Sequence, residues 1–242
     1  MLVAKCIVHS PVGLLCFLYL PFYGAETLKL IIGNKNYSSW SLRAWLLLAT
    51  FELEFEEVKE SLQADGLKER LGRYSPTSRV PVLIDGDLTV WDTLAIDEYV
   101  SEQYLTGRGW PSDTGLRAEA RAICAEMHSG FTGLRSELPM NCRALRTVSP
   151  SAAAQQDIAR IDAIWSHCMT DYAGPWLFGD FSIADCFYAP VVLRFKTYGI
   201  ELSEAANRYQ SFVLRHDVLN QWVEAGKAET EIVPEDEAGE ER

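Results

Sequence analysis

Positive charge is in short supply: 22 Lys and Arg stand against 34 Asp and Glu, for a formal net charge of −12 and a pI near 4.8. Nucleic acid and anionic membrane surfaces need clustered cations, so the composition excludes polyanions as principal partners. Histidine is scarce at 4. The 6 cysteines, Cys6, Cys16, Cys124, Cys142, Cys168 and Cys186, form no CxxC pair and no ligand-like spacing with histidine. That excludes a zinc module or a disulfide framework and suits free thiols in a reducing, cytoplasmic setting, with no metal. Long apolar runs are also missing. The best candidate, residues 12–23 behind Lys5, is interrupted by Pro21 and falls short of the ~20 residues a membrane span needs. It has the look of a secretory h-region, but cleavage after Gly24 or Ala25 would place Phe22 or Tyr23 where a small residue is wanted. Residues 1–27 therefore read as an extension outside the folded unit, and no membrane association is expected.

What remains is an ordinary globular composition, 48% hydrophobic over 242 residues, enough for one large or two modest domains with a sizeable core. The apolar run at 28–33 has strand length, and Leu42, Trp45, Leu46 and Ala49 then recur at helical spacing to about Phe51. A weak strand at 55–58 and a short helix at 65–72 follow, the latter opening on Asp65. Residues 80–84 and 88–90 flank Asp85-Gly86-Asp87 and read as a hairpin, and 92–104 closes the unit as a helix. Residues 106–114, with Gly107, Gly109 and Pro111, are a linker by composition. Beyond it no strand signal survives: the periodic segments near 115–135, 151–171, 182–198 and 208–226 all read as helices. The expected organisation is an α/β unit over 28–105 and an all-α unit over 115–226, followed by an acidic, disordered tail at 227–242.

Three spots carry chemistry. Pro81 sits just inside a short apolar strand, where it cannot donate to a ladder, so it marks an edge, a bulge or a cis peptide and leaves Val80 free to pair with an added peptide backbone. Asp92 and Thr93 place a carboxylate and a hydroxyl at a helix start, a combination suited to the ammonium and carboxylate of an amino-acid head. Ser38 lies in the loop before a helix whose free N–H groups point back towards it. A hydroxyl there can donate to a thiolate; lowering a thiol pKa by about 2 units needs ~2.7 kcal/mol, close to one hydrogen bond to a charged acceptor. The competing reading makes Ser38 or Ser39 a plain N-cap. In the second half, Ser182 and Asp185 have capping-box spacing ahead of an apolar run, which points to a structural role.

The element order, Val80-Pro81 and Asp92-Thr93 resemble the thioredoxin-like N-terminal domain of cytosolic glutathione transferases. Tyr37-Ser38-Ser39-Trp40-Ser41-Leu42-Arg43 resembles the serine-type transferases, above all the zeta class with its Ser-Ser-Cys-Ser-x-Arg pattern, and the box at Ser182 and Asp185 is similar to one in their helical domain. The resemblance runs from about Leu28 to Trp222. It implies a thioredoxin-like domain followed by an all-helical domain, glutathione as co-substrate, and a homodimer. Ser38 falls on the catalytic serine and Ser39 on its neighbour; Val80 would meet the cysteinyl backbone, Asp92 and Thr93 the γ-glutamyl head, and Arg79 would make a further ligand contact. Met127, His128, Phe131 and Arg135 would wall the second-substrate pocket, or else form a core stripe with a solvated Arg. Trp40 replaces the cysteine of the zeta pattern. The implied activity is conjugation of the thiolate to a small electrophile. Its rivals are cis-trans isomerisation of a maleylacetoacetate-like diacid, favoured by a cationic pocket at Arg135 or Arg143, and a binding module without turnover.

Overall fold

Residues 27–62 and 66–242 are described by the structure, a computed structural model. The 12–23 run and the Asp65 cap lie outside them. β1 (Leu28–Ile32) is apolar on both faces because both are covered: Leu30, Ile31 and Ile32 are fully buried. β2 (Phe55–Lys59) pairs parallel to it in the register Leu28 to Phe55. β3 (Val82–Asp85) runs antiparallel to β1, and β4 (Leu88–Val90) antiparallel to β3, for the order β2-β1-β3-β4. The tight β3–β4 turn relies on Gly86 at φ 55°, a left-handed conformation that glycine adopts without penalty.

Three helices complete this unit: α1 (Ser39–Thr50), α2 (Leu67–Gly72) and α3 (Thr93–Gln103). The buried residues of α1 lie all round its axis, because one side covers the sheet and α3 while the other packs on the helical half. That half contains α4 (Thr114–Ser129), α5 (Thr132–Glu137), α6 (Ala152–Asp171), α7 (Ile183–Tyr198), α8 (Glu204–Val213) and α9 (Asp217–Ala228). α7 is the axis of the core. Trp165 of α6 sets its ring edge-on to Tyr188 and Phe195 of α7 and Tyr209 of α8, at 5.0 to 6.0 Å between centroids.

Two of the expected helices are broken in the structure. The segment 115–135 divides at Gly130 and Phe131, where Phe131 takes φ 54° and Gly130 closes α4 by donating to the Glu126 carbonyl. The segment 208–226 divides at residues 214–216, and α8 starts earlier than the periodicity suggests because Ser203 caps it. In both cases the apolar spacing runs on past a turn into the next helix, with Leu134 and Leu219 fully buried beyond the breaks.

The acidic tail departs most from expectation. Glu229 accepts the backbone N–H groups of Lys35 and Asn36 at 3.0 and 3.1 Å, and Glu231 accepts Asn34 Nδ2 at 2.8 Å and Ser61 Oγ at 2.6 Å. A 3₁₀ turn at Pro234–Asp236 follows, and β6 (Glu240–Glu241) pairs with β5 (Arg146–Thr147). Low apolar content suggested a solvated segment, but these carboxylates find backbone and arginine donors on the helical half and on the loop before α1.

Candidate active site

The site forms where α1 begins, between the strand-β3 approach and the helical half. Ser38 is the N-cap of α1 and is 6% exposed. Its hydroxyl donates to Ser41 Oγ at 2.7 Å and receives the Ser41 N–H at 3.4 Å, so the capping role is real in this structure. Ser41 Oγ in turn accepts the Gly33 N–H at 3.1 Å, tying the loop to the end of β1. Ser39, 8% exposed, accepts from Arg194 Nη2 of α7 at 3.2 Å. Both serines line a cavity of about 580 Å³ together with Arg79, Val80, Arg135 and Arg194.

A second cavity of about 660 Å³ shares Trp40, Arg79, Val80 and Arg135 with the first and extends to Asp92, Thr93 and His128. The Val80–Pro81 peptide is cis and lies just before β3. Among the described residues the backbone N–H and carbonyl of Val80 have no partner, which leaves them available to an incoming strand. Asp92 is the N-cap of α3: Oδ1 accepts the Leu94 N–H at 2.9 Å and Oδ2 faces His128 Nε2 of α4 at 3.3 Å. Thr93, almost fully buried, donates to the Trp40 carbonyl at 3.4 Å and so couples the starts of α3 and α1.

The surroundings are cationic. The Trp40 ring has Arg43 at 4.3 Å and Arg135 at 5.0 Å, with His128 edge-on at 5.2 Å. Burial pulls Arg43 down to about 9 and Arg194 down to about 10, with other arginines nearby acting in the same direction. Both remain charged at neutral pH. Tyr37 is used otherwise: its hydroxyl donates to Glu237 at 2.5 Å and accepts from Arg143 at 2.6 Å, and burial with Glu237 raises its pKa. The four described cysteines, Cys124, Cys142, Cys168 and Cys186, are buried free thiols whose pKa values burial pushes upward, so none of them presents a thiolate.

Ser38, Ser39, Arg79, Val80, Asp92, Thr93, His128 and Arg135 are therefore brought to one cleft. Met127 and Phe131 are not. Met127 is 1% exposed on the inward face of α4, one residue and about 100° round the helix from His128, and Phe131 packs in the core at the α4–α5 break. Arg143 also stays out of the cleft, since its guanidinium donates to the carbonyls of Glu229 and Glu231. The missed residues are Trp40, Arg194 and Asp236. Arg194 left a trace in the sequence: it is a lone cation in the apolar stretch Val191-Val192-Leu193-Arg194-Phe195 of α7, and such a residue stays buried only with partners.

With this geometry in place, the comparisons with known proteins agree in kind. Family models described as the glutathione S-transferase N-terminal and C-terminal domains match residues 37–103 and 119–225. The chain belongs to the glutathione S-transferase family. It is 31% identical over 174 residues to rat maleylacetoacetate isomerase, covering 69% of this chain and 78% of that one. A dichloromethane dehalogenase of Methylophilus leisingeri is 34% identical over 74 residues, only 28% of its own length. Among solved structures, a Burkholderia glutathione transferase homologue with bound glutathione superposes with a TM-score of 0.66 at 24% identity, over 84% of this chain and 99% of that chain. A bacterial maleyl pyruvate isomerase of the zeta class gives 0.65 at 20%, over 84% and 100%.

Proposed function

We propose that this protein is a glutathione transferase that joins the glutathione thiolate to a small electrophile, working as a cytoplasmic homodimer. The observation that supports it best is the convergence, in one cleft, of an unpaired Val80 backbone, a carboxylate-capped helix start at Asp92 and Thr93, and a serine at the N-terminus of α1. These features fit a γ-glutamyl tripeptide: Asp92 holds the ammonium, the α3 N-terminus with Thr93 receives the carboxylate, and Val80 pairs with the peptide body. Glutathione supplies the nucleophilic sulfur. Ser38 donates to that sulfur while the α1 N-terminus and the buried cations Arg43 and Arg194 favour its anionic form. Arg79 flanks the peptide, and His128 keeps Asp92 oriented across the domain boundary.

Titration calorimetry on Asp92→Ala tests this reading. Affinity for glutathione falls by about tenfold or more while the rate at saturation changes little, as expected when binding shared by ground and transition states is removed. Unchanged affinity removes Asp92 from the site. A second reading, isomerisation of a cis diacid, draws support from Arg135 and Arg194 lining the cleft and from the identity to maleylacetoacetate isomerases.

A further inference from the structure

The tail does more than cover the loop before α1; it carries a charge into the cleft. Between the anchors at Glu231 and Glu237 lies Asp236, which lines the same cavity as Ser38, Ser39, Arg135 and Arg194. Among the described residues its carboxylate makes no hydrogen bond and no ion pair within 4.0 Å, unlike its neighbour Glu237, which takes Tyr37, Asn141 at 3.0 Å and Arg146 at 2.5 Å. Firm anchoring on both sides fixes where Asp236 stands. Upstream, Glu229 and Glu231 hold Asn34, Lys35 and Asn36; downstream, β6 pairs with β5 and Arg242 donates to the carbonyls of Lys196 and Thr197 at 3.3 and 3.2 Å.

Resting on the transferase reading, we infer that the segment 229–242 is a closing strap that supplies Asp236 to the cleft as a resident carboxylate, so that Arg194 meets a counter-charge from its own chain and carboxylate-bearing second substrates are rejected in favour of neutral ones. Arg194 already spends its donors on the Arg135 and Leu138 carbonyls and on Ser39 Oγ. Its remaining field is what an anionic substrate would need, and Asp236 answers it. The two charges bear on each other: Asp236 favours the charged form of Arg194 against burial, and Arg194 favours the charged form of an Asp236 carboxyl that burial lifts to about 6. Discrimination by a fixed like charge is an efficient device, because a repulsion inside the cleft weakens the wrong ligand without any new contact to the right one.

The test titrates maleate, a small cis dicarboxylate, into the glutathione-saturated protein, with the neutral diamide of maleic acid as control. Asp236→Asn tightens maleate binding about fivefold or more and leaves the diamide unchanged, Asp236→Glu stays near wild type, and a chain ending at Ile232 behaves like Asp236→Asn. Should the shortened chain fail to fold, Asp236→Asn decides alone. Wild-type affinity for maleate in Asp236→Asn overturns the inference, and so does a gain seen only on truncation, which would assign the effect to bulk and not to charge. If glutathione itself does not bind, the transferase reading fails, and maleate titrated without it still decides the role of Asp236.

Discussion

Ser38 has its hydroxyl proton committed to Ser41 Oγ at 2.7 Å, yet a thiolate is a stronger acceptor than a neutral hydroxyl, and a serine O–H turns freely to the better partner. On the proposed function, the cap and the thiolate donor are two uses of one group. Ser38→Ala raises the pKa of the bound thiol by one to two units, about 1.4 to 2.7 kcal/mol, read from thiolate absorbance against pH. Ser39→Ala has the smaller effect, because its oxygen serves Arg194 and its loss acts on the sulfur only through that cation. A larger effect at Ser39 assigns the thiolate to the other serine. The position of Ser38 was legible because a strand, a polar loop and an apolar-periodic helix follow in order. Arg194 was not, since nothing local says that α7 brings it beneath α1.

At the scale of elements, α7 shows how a short motif becomes a core fixture. The capping box between Ser182 and Asp185 forms as its spacing predicts, with the Ser182 N–H at 2.9 Å from Oδ2. The structure adds two partners that spacing cannot reveal: the Leu177 N–H and the Tyr209 hydroxyl, each 3.1 Å from Oδ1. Cap loss alone costs about 0.5 to 2 kcal/mol. Asp185→Ala also orphans two buried donors, so denaturant melts show a loss of about 3 kcal/mol or more, and a loss below 1 contradicts the network. Burial lifts the Asp185 carboxyl from 3.8 to about 6 in the folded state. The fold therefore binds this proton more tightly than the unfolded chain does, a contribution fully present below about pH 4 and lost as pH rises through 6. The advantage of wild type over Asp185→Asn shrinks by roughly 2.4 kcal/mol between pH 4 and 7; a constant difference contradicts the assigned shift. Helix boundaries at Gly130 and at 214–216 escaped periodicity for a related reason: core burial continues across a turn, and the apolar pattern records burial, not hydrogen bonding.

Across the whole molecule, the net charge of −12 is unevenly used. Glutamates of the tail are spent on the loop before α1 and on Ser61, whereas Arg79, Arg135 and Arg194 line the cleft, so a strongly acidic protein holds a cationic cleft. Composition read the tail as solvent-borne, because its stability comes from specific backbone and arginine donors and not from apolar burial. The two-part architecture was legible from strand and helix signals, and the part of the cleft that the first unit lines from Val80-Pro81 and Asp92-Thr93. The helical half was only partly so: Met127 and His128 are adjacent in sequence but face the core and the cleft respectively. The central claim is that this cleft binds glutathione and ionises its thiol. Titrating the protein with glutathione while following thiolate absorbance across pH measures both at once. The structure predicts saturable binding and a bound-thiol pKa about two units below the free value near 8.5; binding with no shift would leave a glutathione-holding module without the chemistry, and no binding would contradict the account outright.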